Sequence, residues 1–437
     1  MLEKLFNPKT LAVVGASNKP GKIGFSIMQN LLHYNVHRKL FPVNIDCPQI
    51  LGLKAYPKVS DLPLKELDLV IIAIPKPFVI DVLKDCAKKK TKFAVIISAG
   101  FKEAGDLHSE QELVQIARKT KIRIVGPNTL GIFDNFNKLD CLFLSITAQK
   151  RPKLGNVSLI SQSGTVGAIL IEQFEKNKVG LNKFVSYGNA CDVNECDLLE
   201  YLNKDKHTKI IAFYVEEIID GKRFIKILRK QKKPIVALKA GRSKKGSQSV
   251  QSHTGNLAGD SSVYSGIFKQ FNILNAENVT DLVNFSKSQN IKSIKNTTII
   301  TNGGGYGILL SDHFEQYNIP ILELAEKTKS ALKKVMPFGV GTKNPIDIMG
   351  DADSNRYIQA IELTKKETDT YIIVLLGQTT TITKEGVIEL ANYLKRLNKN
   401  IVFISTEDRY TEILENDFLV FEFPEELARA ISVRVKR

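Results

Sequence analysis

A chain of 437 residues is too long for one ordinary core, so two or three domains are expected. With 43% hydrophobic and 25% charged residues it has the balance of a soluble globular protein, and no apolar run reaches the ~18 residues that span a bilayer. The net charge of +16 suits an anionic cofactor or nucleic acid. Trp is absent, the lysines are spread over many predicted helix faces, and there is no RNA-recognition aromatic motif, so nucleic acid is disfavoured.

The N-terminus, MLEKLFNPKT, has no signal-peptide apolar core and runs straight into a strand-like segment, so a cytoplasmic protein is expected. The five cysteines, at 47, 86, 141, 191 and 196, are odd in number and scattered, so no disulfide framework is expected. Cys191 and Cys196 stand close in CDVNEC. They lack a second Cys/His pair at zinc spacing, and no metal site is assigned.

Strand-like runs then alternate with helical patterns almost from end to end, the signature of α/β architecture with mainly parallel sheets. The first block runs LAVVGA (11–16), LFPVN (40–44), LVIIAIP (69–75), FAVIISAG (93–100) and IRIVGPN (122–128). These runs do not alternate, as expected when helices cover both faces of a sheet. SITAQKRPKLG (145–155) is polar, carries a Pro and reads as a linker. A second block follows with VSLISQSG (157–164), KFVSYGN (183–189), KIIAFYVEE (209–217) and PIVALKAG (234–241). KSQNIKSIKN (287–296) reads as a second connector. The third block opens with TTIITNGGGYG (297–307) and continues through TYIIVLLG (370–377) and NIVFISTE (400–407).

Each block opens on a strand that ends in a glycine-rich turn. GASNKPGKIG (15–24) precedes a helical pattern, so its backbone N–H groups and the positive helix end suit phosphate. It is neither G-x-G-x-x-G nor a Walker A loop. The second strand ends in Asn44 with no acidic residue there, which disfavours NAD held through a ribose carboxylate; Lys22 suits an extra phosphate, and coenzyme A fits both features. In SQSG (161–164), Ser161 and Ser163 read equally as helix caps or as an anion site. TNGGGYG (301–307) has more glycine than a turn needs and reads either as a turn or as a close backbone approach to an anion or partner.

RSKKGSQSVQSHTGNLAGD (242–260) reads as a long polar loop without apolar periodicity. It starts with Arg242, Lys244 and Lys245 and holds one histidine, His253, bracketed by small residues. With no Cys, no HxxxH and no Asp or Glu within four residues, metal ligation is poor. A lone loop histidine has two readings: a solvated side chain, or a nucleophile towards a phosphoryl group whose charge the lysines and amides offset.

The set FNPKTLAVVGAS…PGKIG, LISQSG, SYGNACDV, ALKAGRS, SHTGNLAG, TNGGGYG and NPIDI resembles the α subunits of NDP-forming acyl-CoA synthetases, the ADP-forming acetyl-CoA synthetase branch above all. Over the first two blocks it is also similar to the succinyl-CoA synthetase α subunit. The resemblance implies a Rossmann-like CoA-binding domain (1–147), a flavodoxin-like ligase domain carrying the phosphohistidine loop (148–290) and a second flavodoxin-like ligase domain (291–437). It implies CoA contacts at Gly15, Ser17, Lys22, Ile23 and Asn44, and phosphate held at Ser163 and Gly164. It makes His253 a transient phosphohistidine and Glu216 the carboxylate that orients it, although Glu217 stands where the family has glycine. The implied reaction converts acyl-CoA, phosphate and ADP to carboxylate, CoA and ATP through an acyl phosphate. ADP or ATP with Mg²⁺ is expected on a separate ATP-grasp β subunit in an α2β2 assembly, and the histidine loop would swing between two sites. The competing reading is a catalytically silent CoA- or dinucleotide-sensing protein on the same fold.

Overall fold

The structure, a computed structural model, describes residues 2–34, 38–254, 260–377 and 381–435; of residues 251–254 it describes the backbone alone. The chain divides into two compact units, Met1–Ser286 and Lys287–Arg437.

The first unit holds two sheets. In one, five parallel strands lie in the spatial order Lys39–Val43, Thr10–Val14, Leu69–Ile72, Phe93–Ile96 and Arg123–Val125. Every residue of Leu69–Ile72 and Phe93–Ile96 is buried, because each face of the sheet has its own apolar layer. Leu11, Val13, Leu69 and Ile71 pack with Ile27 and Met28 of the helix Ile23–His33. Ala12, Val14, Val70 and Ile72 pack on the opposite face with Leu83 and Leu113. Two-sided burial is why the sequence shows continuous apolar runs here.

The second sheet has the order Leu274–Ala276, Ile235–Lys239, Ile210–Val215, Leu154–Ser161, Leu181–Ser186, Ile132–Asp134 and Leu139–Asp140. The first five strands are parallel, and the last two form a hairpin that adds antiparallel to Leu181–Ser186. The expected domain limit at 147 therefore lies beyond a hairpin that belongs to the second sheet. Its pairing is locked by an ion cluster: Lys183 Nζ lies 3.2 Å from Asp134 and 3.3 Å from Asp205, with Lys183 and Asp134 buried and Asp205 partly so.

The second unit holds five parallel strands in the order Ile346–Asp347, Thr297–Thr301, Thr370–Leu375, Asn400–Ser405 and Leu419–Phe421. Counted along their parallel strands, all three sheets have the order 2-1-3-4-5. In each, the chain moves outward after the first strand and then crosses back, so strand order reverses at Val14, Ser161 and Thr301. Crevices for ligands form at the carboxyl ends of strands where that reversal occurs. The three glycine-rich turns stand at these three points.

Two local expectations differ from the structure. The segment 145–155 is no free linker. Asn30, wholly buried, donates to the carbonyls of Leu142 (2.8 Å) and Leu144 (2.9 Å) and accepts from the N–H of Ile146. Arg151 is buried against Asp140 at 2.9 Å and donates to the Leu144 carbonyl, so the segment is a strap pinned to the first two sheets' junction. Within the segment 242–260, residues 255–259 lie outside the described residues, and Lys244–Thr254 is helical where a loop was expected. Ser243 starts it by accepting the N–H of Gly246 (3.0 Å), and Val250 is buried against Gly241. One apolar anchor in eleven residues leaves no periodicity to read.

Candidate functional site

The first turn is built by close approach. Gly15 has φ +85°, and a Cβ there would lie 2.3 Å from the Ala73 carbonyl oxygen. Gly24 brings the helix Ile23–His33 so near that its Cβ would lie 1.8 Å from the Gly15 oxygen. The helix starts at Lys22 with no side-chain cap, leaving its first N–H groups for an anion. Asn44 closes the turn from the neighbouring strand: Nδ2 donates to the Ala16 carbonyl (2.7 Å), and Oδ1 accepts from Asp46 (2.8 Å) and Cys47 (3.0 Å). Ser17 accepts from Lys19 N–H at 3.0 Å.

In the second turn both serines make local contacts. Ser163 is the N-cap of the helix Gly164–Lys176 and accepts the N–H of Val166 at 3.3 Å. Ser161, fully buried, donates to the Ser163 carbonyl at 2.6 Å. The helix start leaves the N–H groups of Gly164 and Thr165 without partners inside the helix.

One cavity of about 1200 Å³ joins these turns. Gly15, Ser17, Lys22, Ile23 and Asn44 line it at one end and Ser163 and Gly164 at the other, so the residues assigned from the sequence to CoA and to phosphate face a common space. A second cavity of about 600 Å³ adjoins it past Gly15, Asn44 and Pro75 and is lined by Val43, Val59, Phe78 and Val82. This apolar wall was not singled out in the sequence. Its residues come from three separate segments, and only the 2-1-3 strand crossing brings them together.

Glu216 and Glu217 follow the strand Ile210–Val215, next to the strand that carries Ser161–Gly164. Both are buried, and both line a cavity of about 20 Å³ with Gln162, Asn128, Asn189, Gly188 and Lys102. That is room for about one water. The Tyr214 hydroxyl donates to Glu216 at 3.4 Å. Glu217 lies on the side of Glu195, whose carboxyl is pushed up to about 7 by burial and by the charges of Glu217 and Asp197. Lys239 is a buried cation nearby, 4.6 Å over the ring of Tyr264; burial lowers its pKa while Glu216 and Glu217 oppose that shift.

The residue that ties the two elements together was missed in the sequence. Gln162 Oε1 accepts the backbone N–H of both Glu216 (2.8 Å) and Glu217 (3.0 Å), and Tyr187 donates to it at 3.4 Å. Nothing in the local sequence separates this glutamine from an ordinary turn residue. The segment SYGNACDVNE also proves structural: Asp192 accepts from Arg123 (2.9 Å) and from Ile124 N–H (2.8 Å), and Asn194 with Asp197 forms a capping box. The backbone of His253 lies in the last turn of the helix Lys244–Thr254; its side chain lies outside the described residues. Among the described residues no His/Cys/Asp/Glu group is arranged to hold a metal ion, and no helix is long and apolar enough to cross a membrane.

Comparison with known proteins covers the whole chain. A CoA binding domain model matches residues 9–134, a succinyl-CoA ligase like flavodoxin domain model 154–288 and a Ligase-CoA domain model 297–403. The chain is 36% identical to the acetate–CoA ligase (ADP-forming) II subunit alpha of Pyrococcus furiosus, over 100% of this chain and 98% of that one. It is 40% identical to the acetate–CoA ligase (ADP-forming) of Methanocaldococcus jannaschii, over 80% of this chain but 49% of that protein. Among solved structures it resembles the dinucleotide forming acetyl-coenzyme A synthetase 1 of Ca. Korarchaeum cryptofilum, in complex with phosphate and ADP. The TM-score there is 0.90 at 34% identity, covering 99% of this chain and 96% of that one.

Proposed function

The chain belongs to the family of α subunits of ADP-forming acetate–CoA ligases, and from that premise we propose that it performs the acyl-transfer and histidine-phosphorylation steps of an acid–thiol ligase. The observation that carries the reading is the single cavity that opens on both the Gly15–Gly24 turn and the Ser163–Gly164 helix start. Coenzyme A has a pyrophosphate at one end and a thiol at the other. The pyrophosphate suits the uncapped helix at Lys22. The adenine suits the adjoining apolar cavity, where Lys58, Lys84 and Lys88 suit the 3′-phosphate although Asp46, Asp81 and Asp85 share the wall. The thioester then reaches towards Ser163.

Phosphate held by Ser163 and by the N–H groups of Gly164 and Thr165 attacks the thioester carbon. The C–S bond breaks, CoA leaves as its thiolate, and an acyl phosphate forms. His253 Nε2 then attacks phosphorus; the P–O bond breaks with its electron pair on the departing carboxylate. Glu216 accepts the hydrogen bond from Nδ1–H, which fixes the tautomer with a free Nε2. Transfer to ADP with Mg²⁺ follows on an ATP-grasp β subunit in an α2β2 assembly in the cytoplasm. The relative from M. jannaschii extends over about as much sequence again as this chain covers, and the relative matched end to end is named an alpha subunit, which supports a second chain. The proposed domains remain 1–147, 148–290 and 291–437, with the hairpin 132–140 lent to the second sheet.

The test is phosphorylation of the assembled α and β chains by labelled ATP and Mg²⁺. An acid-labile, base-stable label on the unsubstituted enzyme, absent from His253→Ala, is expected. Equal label on both rejects the assignment.

A further inference from the structure

Gln162 is 8% exposed, and its amide is used on one side alone. Oε1 is saturated by the N–H groups of Glu216 and Glu217 and approached by the Tyr187 hydroxyl. Those donors settle the orientation of the amide, since exchanging oxygen and nitrogen would set an NH₂ against two N–H groups. Among the described residues Nε2 has no hydrogen-bond partner. Nε2 is not sealed from solvent, so its two donors open onto the cavities that Gln162 lines and stand free for a ligand. Gln162 is one of two residues, with Asn128, that line both the large cavity and the small glutamate cavity. Gln162 shares the lining of the large cavity with Ser163, the next residue in the chain.

We propose that Gln162 is a substrate-contacting donor whose Nε2–H groups bind an oxygen of the phosphoryl group at the Gly164 helix start. This rests on the function proposed above and goes beyond its assignment of Ser163 and Gly164. The amide neither gains nor loses a proton. It donates to the attacking phosphate, and again to the same phosphoryl oxygens as the bond to the carboxylate oxygen breaks and the bond to the imidazole nitrogen forms. Its oxygen is pinned by the backbone, so the donor needs no reorganisation when charge moves, the condition under which such groups assist most. Because the same side chain holds the N–H groups of Glu216 and Glu217, the phosphate donor and the carboxylate behind the histidine share one rigid support.

Gln162→Glu separates this role from a merely structural one. It keeps an oxygen for the two backbone N–H groups and replaces the NH₂ by a second, negative oxygen. Gln162→Met removes both. The assembled enzyme is labelled on histidine in two ways, from ATP and from acyl-CoA with labelled inorganic phosphate, and phosphate binding is measured by calorimetry. The expected result for Gln162→Glu is at least a tenfold loss of phosphate affinity and of phosphate-driven labelling. Labelling from ATP, which enters at the other site, should fall at least fivefold less than labelling from phosphate. Unchanged phosphate affinity in Gln162→Glu, or equal loss of both labelling routes, overturns the proposal. An unsubstituted enzyme that binds phosphate but takes no label from either source rejects the phosphohistidine reading while leaving the phosphate-binding comparison to decide the role of Gln162.

Discussion

The side-chain oxygen of Gln162 lies 2.8 Å from the backbone nitrogen of Glu216, which joins the turn after the strand Leu154–Ser161 to the end of the strand Ile210–Val215. These strands are neighbours in register, Ser161 opposite Tyr214, so the contact spans one sheet spacing and 54 residues of sequence. The helix start and the glutamates are thereby held as one rigid group. Four further expectations follow from the geometry elsewhere.

Gly15→Ala should abolish CoA binding. The new methyl would meet the Ala73 oxygen at 2.3 Å with φ at +85°, a conformation that costs a non-glycine residue about 1–3 kcal/mol before any clash. Calorimetry with CoA should show at least a hundredfold weaker binding. Wild-type affinity in the variant contradicts the assignment of this turn.

Glu195 is fully buried, and its carboxyl is raised from 4.5 to about 7. Ile219 N–H donates to Oε1, while Oε2 has no partner among the described residues. A raised carboxyl binds its proton more tightly in the folded chain, so it favours folding below pH 4.5 and loses that contribution as pH rises through about 7. At ~1.4 kcal/mol per pH unit the loss is about 3 kcal/mol. Glu195→Gln should therefore be about 2–3 kcal/mol more stable than the parent at pH 8 and nearly equal to it at pH 4.5. Urea midpoints at the two pH values measure the difference.

Lys183→Met should destabilise the first unit. It strands Asp134 in the interior, and breaking a buried pair from one side costs about 3–5 kcal/mol. Hydrogen exchange should show the loss in residues 132–140 and 181–186, with the strands 370–375 and 400–405 unchanged.

Val250→Ser should uncouple the histidine from the rest of the site. An eleven-residue polar helix has little stability alone, and Val250 is its buried anchor. Label on His253 from ATP should fall at least tenfold, while CoA affinity stays within twofold. A loss of both in parallel would instead mean general unfolding.

The parallel strands and their order of appearance were legible because burial on both faces leaves continuous apolar runs such as Leu69–Ile72. The three turns were legible because close approaches like that of Gly15 to Ala73 admit only glycine. What escaped depends on distant partners. The strap at 145–155 is held by Asn30, more than a hundred residues away. The hairpin 132–140 has only short strands and acquires its identity from Leu181–Ser186. The helix Lys244–Thr254 rests on a serine cap and one valine, too little to rise above the polar background. Gln162 was passed over because its importance lies in which backbone it faces. Lys22 and the strand end at Asn44 pointed to coenzyme A from their chemistry, and the common cavity adds a spatial reason for them.

The antiparallel hairpin bears on how the chain assembles during synthesis. The first sheet has all five strands once Val125 has left the ribosome. The hairpin Ile132–Asp140 emerges next, yet the strand it pairs with, Leu181–Ser186, comes more than forty residues later. For that interval the nascent chain holds an unfilled strand edge with two buried-type aspartates, Asp134 and Asp140, awaiting Lys183 and Arg151. Unpaired charge on a strand edge disfavours pairing with another chain, so the aspartates that later enter the closing ion pairs guard the edge against aggregation while it waits.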